Sequence, residues 1–207
     1  MTNEATILLA SSSPRRRLLL ERAGFRVVVR APPIDDSPLR IRPDRARTDC
    51  ASVAWFKAAQ IWATHDHTAA PTARARWIVA ADTVCIVGSR TMGKPQSASD
   101  ARSMLLEVLG RPVQAVTGVC IVDLVERRRE LFSESSTLVL HEANRPRIDE
   151  HLARGDWEGR AGGFNLEELG ARGWTYDLDG DADCVVGLPM RALATRLKAT
   201  IEGCAGD

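Results

Sequence analysis

The chain has 207 residues, 44% hydrophobic and 27% charged, which fits one globular domain on the usual prior of about 150 residues per domain and excludes a disordered chain. Its 28 basic and 27 acidic side chains leave a formal charge of +1, so no net field draws it to nucleic acid or to an anionic membrane. Arginine supplies the basic residues apart from Lys57, Lys94 and Lys198, which merit following because a mobile ammonium is not interchangeable with a planar guanidinium.

In chain order, Thr6 to Ala10 is a short apolar run ending in Ser11-Ser12-Ser13-Pro14, followed by Arg15 to Ala23 and Gly24: strand, turn, helix and glycine stop. Arg26 to Ala31, with its run of valines, reads as a second strand. Pro32 to Pro38 is a loop, and a long helix starts near Asp44 and runs through Trp55, Phe56, Ala59 and Trp62. Trp77 to Val87 is a buried strand and Gly88 to Gln96 a turn region; Ser97 with Asp100 resembles a capping box for a helix that stops at Gly110. Val113 to Val125 and Glu130 to Leu140 read as strands joined by the polar turn Glu126 to Arg129. A short helix from Pro146 to Ala153 closes at Gly155, Gly155 to Gly173 reads as irregular, Trp174 to Leu178 as a strand, and Pro189 as the first residue of a C-terminal helix. Early alternation of strands and helices, with a hairpin in the middle, predicts one α/β domain over residues 1–207, a twisted mixed sheet flanked by helices.

Five cysteines without a C-x-x-C argue against a disulfide framework or zinc ribbon and fit a reducing cytoplasm. The N-terminal run is too short and too acidic for a secretory signal, and no apolar run approaches the ~20 residues that span a bilayer.

Two segments point to phosphate chemistry. Ser11-Ser12-Ser13-Pro14-Arg15-Arg16-Arg17 places cations in a helix's first turn, against the macrodipole, an arrangement that a bound anion would offset. Free N–H groups, serine hydroxyls and guanidinium forks there make a phosphate cradle. In Ala80-Ala81-Asp82-Thr83-Val84 an acid interrupts an apolar strand; it either bonds backbone amides, or holds a divalent cation or orients a water. Gly88 to Lys94 matches G-x-x-x-x-G-K, but Pro95 has neither the hydroxyl nor the N–H of a P-loop. Lys94 stays of interest for a phosphate near Asp82, Lys57 reads as a snorkelling or ligand-contacting lysine, and Asp35 and Asp36 as loop acids or a further metal carboxylate. His65 and His67 lack a third ligand.

Together these segments resemble the Maf family of nucleoside triphosphate pyrophosphatases, once named for septum formation. The similarity runs through Leu8 to Arg16, Pro33-Ile34-Asp35-Asp36, Lys57-Ala58, Ala81-Asp82-Thr83-Val84, Gly93-Lys94-Pro95, Thr117-Gly118-Val119, Ala161-Gly162-Gly163-Phe164 and Val186-Gly187-Leu188-Pro189. It implies metal-dependent hydrolysis of a nucleoside triphosphate to monophosphate and pyrophosphate, using Mg²⁺ or Mn²⁺, by a cytoplasmic homodimer whose fold is related to the inosine triphosphate pyrophosphatases. It would make Asp82 the acid that activates water or, with Asp36, holds the metal. Ser11, Ser13, Arg15, Arg16, Lys57 and Lys94 would line the phosphates. A different reading, a nucleotide-binding regulator of division or growth, would use the same pocket without turnover.

The resemblance divides on the base. Arg15 and Thr83 look like the subfamily acting on dTTP, UTP and modified pyrimidine nucleotides. Ala161 to Gly170, with Glu167 at the discriminating place, looks like the subfamily acting on 7-methyl-GTP. A carboxylate there would favour a base edge that offers N–H donors.

Overall fold

The computed structural model describes residues 6–35, 39–64 and 75–202; Asp36, His65 and His67 lie outside them. Seven strands form one sheet in the order β2 (Arg26–Val29), β1 (Thr6–Leu9), β3 (Trp77–Val87), β5 (Pro112–Asp123), β6 (Arg128–Leu140) and β7 (Tyr176–Asp179), with β4 (Arg90–Met92) pairing β3 off this path. β2, β1 and β3 run parallel and the remaining pairings are antiparallel, so the expected mixed sheet is what forms.

Helices cover both faces, which is why the central strands read as nearly continuous apolar runs. Because side chains alternate along a strand, Ile7, Leu9, Trp77, Val79 and Ala81 point to one face, where they pack with Leu20 of α1 (Pro14–Arg22) and Leu193 and Leu197 of α7 (Met190–Glu202). Leu8, Ala10, Ile78 and Ala80 point to the other, against Ala54, Ala58 and Ile61 of α2 (Ala46–Thr64). A third apolar group joins the far ends of β5 and β6 to α3 (Ala98–Val108), α4 (Ile148–Ala153) and α5 (Leu166–Ala171), through Leu105, Leu138, Ile148, Leu169 and Trp174.

α2 lies very close to the sheet. A Cβ at Gly118 of β5 would overlap the backbone of Cys50 and Ala51, so only glycine permits this approach.

The structure differs from the sequence reading in the glycine-rich stretch and beside it. α5 lies inside Gly155 to Gly173, α6 (Ala182–Val186) follows β7, and β4 forms within the Gly88 to Gln96 turn region. Each has six residues or fewer, too short to express a period, and tertiary packing of residues such as Leu166, Leu169 and Cys184 selects them.

Candidate functional site

β3 continues well past the C-terminal end of β1, whose last paired residue, Leu9, faces Val79. The parallel strands β2 and β3 flank β1 on opposite sides, so the crevice beyond β1 lies at a switch in strand order, a place where open α/β sheets bind ligands. A cleft of about 1170 Å³ opens there. Ser11, Ser13, Arg15, Arg16, Lys57, Asp82, Thr83 and Lys94 all line it, although they come from four separate parts of the chain.

The period of the strand divides the labour at its centre. Asp82 follows Ile78 and Ala80 onto the α2 face, where Lys57 Nζ donates to its Oδ1 at 2.7 Å, with side chains only 13% and 18% exposed. Asp82 Oδ2 has no hydrogen-bond partner among the described residues. Thr83 turns to the opposite face, where its hydroxyl accepts from Arg16 Nη2 at 3.1 Å and meets Thr117 Oγ1 at 2.9 Å. Thr117, fully buried, donates on to the Cys184 carbonyl at 2.8 Å.

The serine-arginine turn forms as expected. Ser13 caps α1 by accepting from the Arg16 amide, and Ser11 Oγ accepts from the Ser13 amide at 3.2 Å. The arginines then part company. Arg16 is committed to the protein through Nε to the Gly187 carbonyl at 2.8 Å, Nη1 to Ser11 Oγ at 3.3 Å and Nη2 to Thr83. Arg17 pairs with Glu21 outside the cleft. Arg15, half-buried in the cleft wall, has no hydrogen-bonded or ion-paired partner among the described residues. Burial, and then the neighbouring Arg160 cation, lower its pKa, and Glu168 and Glu167 offset this only in part. An arriving anion would relieve that repulsion.

Arg160, which sequence reasoning missed, lines the cleft and forms a two-point pair with Glu168, Nη1–Oε2 at 2.5 Å and Nη2–Oε1 at 2.7 Å. Burial pushes the Glu168 carboxyl up, but hydrogen bonds from Arg160 and Asn165 together with the Arg160 and Arg15 charges outweigh it and hold the pKa below its usual value. Only the position of Arg160 directly before the Ala161-Gly162-Gly163-Phe164 motif could have drawn attention to it in so arginine-rich a chain.

The model of a family described as Maf-like protein matches residues 6–200. The chain belongs to the Maf family. Its relatives include a protein from Rhizobium meliloti named dTTP/UTP pyrophosphatase, 35% identical over 89% of this chain and 87% of that one. Proteins of the same name from Cereibacter sphaeroides (33% identical; 94% of each chain) and Nitratidesulfovibrio vulgaris (32%; 92% of this chain and 86% of that one) are similar to it. A solved structure from Mycobacterium abscessus, described as a nucleoside-triphosphatase and dITP/XTP pyrophosphatase, overlaps with a TM-score of 0.39 at 14% identity over 65% of this chain and 74% of that one, a likeness that carries no argument.

In this Maf chain Glu167 stands apart from the other residues expected at the site. Its carboxylate pairs with Arg22 at 2.8 Å, on the surface, and it is not among the residues that line the cleft. The cause is local: α5 begins at Leu166, which with Leu169 is buried, so Glu167 on the next helical position turns outward. Among the described residues no three His, Cys, Asp or Glu side chains converge on a common point, and none of the helices is long and apolar enough to cross a membrane. A Mg²⁺ ion nevertheless suits the donor set, because such ions are commonly held by one or two carboxylates together with substrate phosphates, and Asp82 offers one oxygen toward a cation-lined cleft.

Proposed function

We propose that this cleft hydrolyses a nucleoside triphosphate to the monophosphate and pyrophosphate. The observation that carries the reading is a carboxylate, Asp82, held by Lys57 through one oxygen and open at the other, within a cleft that also holds Arg15 and Lys94 without carboxylate partners among the described residues. Unmatched cations around one oriented acid suit a polyanion with a reacting centre.

Water adds to the α-phosphorus and the bridging oxygen leaves with pyrophosphate. Lys57 orients Asp82, while Arg15, Lys94 and Arg160 offset the charge of the triphosphate. Arg16 acts chiefly by locking the Ser11 turn to Thr83 and Gly187, which sets the start of α1 against the sheet. Asp82, together with phosphate oxygens, would hold Mg²⁺ or Mn²⁺, which supplies Lewis-acid polarisation and acidifies water when bound.

The preferred bases are thymine and uracil. The relatives' shared name supports this. The outward turn of Glu167 removes the argument for a guanine-type edge. The protein acts in the cytoplasm as a homodimer, as the family resemblance implies. The test is a panel of ordinary and base-modified triphosphates scored for pyrophosphate with Mg²⁺, with Mn²⁺ and with chelator: release from dTTP and UTP above the purine nucleotides, lost with chelator, is expected. Absence of pyrophosphate from every nucleotide overturns the reading in favour of a binding regulator.

A further inference from the structure

His151 of α4 is 2% exposed and does not line the cleft, yet it reaches a segment that does. Its Nε2 lies 2.8 Å from the Gly163 carbonyl oxygen, and since a carbonyl only accepts, Nε2 carries the hydrogen. Its Nδ1 is buried without a hydrogen-bond partner among the described residues, and its ring stands edge-on to Trp174 at 5.5 Å and 61°. Burying half an imidazole unpartnered costs free energy, a cost set against the hydrogen bond that the other nitrogen makes to the buried Gly163 carbonyl.

The segment it grips is unusual. Gly162 and Gly163 both have positive φ, +71° and +75°, conformations that side chains rarely adopt. Gly163 N donates to the Arg160 carbonyl at 3.0 Å, and Gly162 N donates to the Gly93 carbonyl at 3.0 Å. A Cβ at Gly163 would sit 3.7 Å from Pro95 Cγ, so this strap lies directly against the Gly93-Lys94-Pro95 turn. Arg160 and Phe164 at its ends, and Gly93 and Lys94 beside it, all line the cleft.

We infer that His151 is a positioning residue for substrate binding: by donating to Gly163 it pins the two-glycine strap that sets Arg160 and Lys94 toward the triphosphate. Nothing else among the described residues donates to that carbonyl. Asp82 and Lys57 are carried by β3 and α2, so loosening the strap leaves them in register.

The inference rests on the pyrophosphatase reading, and the experiment separates the two. Full-length wild type, His151→Leu, His151→Gln and His151→Asn are compared for steady-state dTTP hydrolysis, binding of an α,β-methylene dTTP analogue, and thermal unfolding. A glutamine amide reaches about as far as Nε2, whereas an asparagine amide stops near Nδ1. His151→Leu and His151→Asn are expected to raise KM and the analogue's Kd about tenfold with kcat within about twofold, and His151→Gln to recover most of the loss. If His151→Leu remains folded with wild-type KM and Kd, or if Gln and Asn behave alike, His151 only fills space and the inference fails. Should His151→Leu not fold, the Gln and Asn variants decide in the same way. A wild type that releases no pyrophosphate overturns the functional reading, and this inference with it.

Discussion

Lys57 Nζ stands 2.7 Å from Asp82 Oδ1, a contact between a helix and a strand that depends on a third element. Asp82 is paired in register with Gly118, and the missing side chain at Gly118 is what lets α2 lie on the sheet near Cys50 and Ala51, two turns before Lys57.

Asp82→Asn keeps the shape of the acid and removes its charge. Pyrophosphate release should fall by about 10³-fold or more, with far-UV circular dichroism unchanged. Lys57→Met should impair turnover too, and the double variant should be no worse than Asp82→Asn, because residues that act as one unit are not additive. Near-normal turnover by Asp82→Asn sinks the assignment.

Gly118→Ala should destabilise the fold by about 2–3 kcal/mol, because the new methyl meets helix backbone and cannot be accommodated by a rotamer change. Urea unfolding measures this. Any folded fraction should also show impaired turnover, since α2 must move outward and take Lys57 with it; a variant as stable and active as wild type contradicts the close packing.

Arg15 and Glu167 should behave oppositely. Arg15→Ala removes a guanidinium of the cleft wall that has no partner among the described residues and should raise KM for dTTP by about tenfold, the effect of about 1.4 kcal/mol of binding. Glu167→Gln should leave the dTTP/GTP selectivity within about twofold, because its carboxylate faces Arg22. A reversal of base preference by Glu167→Gln, measured as a ratio of kcat/KM values, would show that the residue does reach the base.

Burial pushes the thiols of Cys50, Cys85 and Cys120 up from 9.0 to about 12. The unfolded thiols ionise first as pH rises, so the unfolded state binds fewer protons than the folded one and stability falls between about pH 9 and 12. It is at its full value, as far as these groups are concerned, below pH 9. Unfolding midpoints measured from pH 7.5 to 11 should decline across that window, and Cys120→Ala should soften the decline. The same thiols should resist alkylation at pH 8 until denaturant is added.

Much of the site was legible because its residues sit where local rules operate. The strand-to-helix turn at Ser11 to Arg17 follows from an apolar run, a capping serine and Pro14, and the acid at Asp82 stands out from the apolar strand around it. Arg160 was not legible, since its pairing with Glu168 needs the Gly162-Gly163 turn and the short helix α5 to bring them together. The same holds for His151, whose partner is a backbone carbonyl that no side-chain pattern announces.

The sequence by itself therefore determined the α/β class, the buried strand Trp77 to Val87, the strand-to-helix turn at Ser11 to Arg17 and the ordered motifs of the Maf family. Those are properties of short-range period, capping and residue order. Only the tertiary structure decided which cation serves which partner: Arg16 is taken up by Gly187, 171 residues away, Lys57 by Asp82, and Glu167 by Arg22, while Arg15 is left facing the cleft. The three adjacent arginines are chemically alike, and what distinguishes them is the direction each takes from the helix and what the closed chain places there.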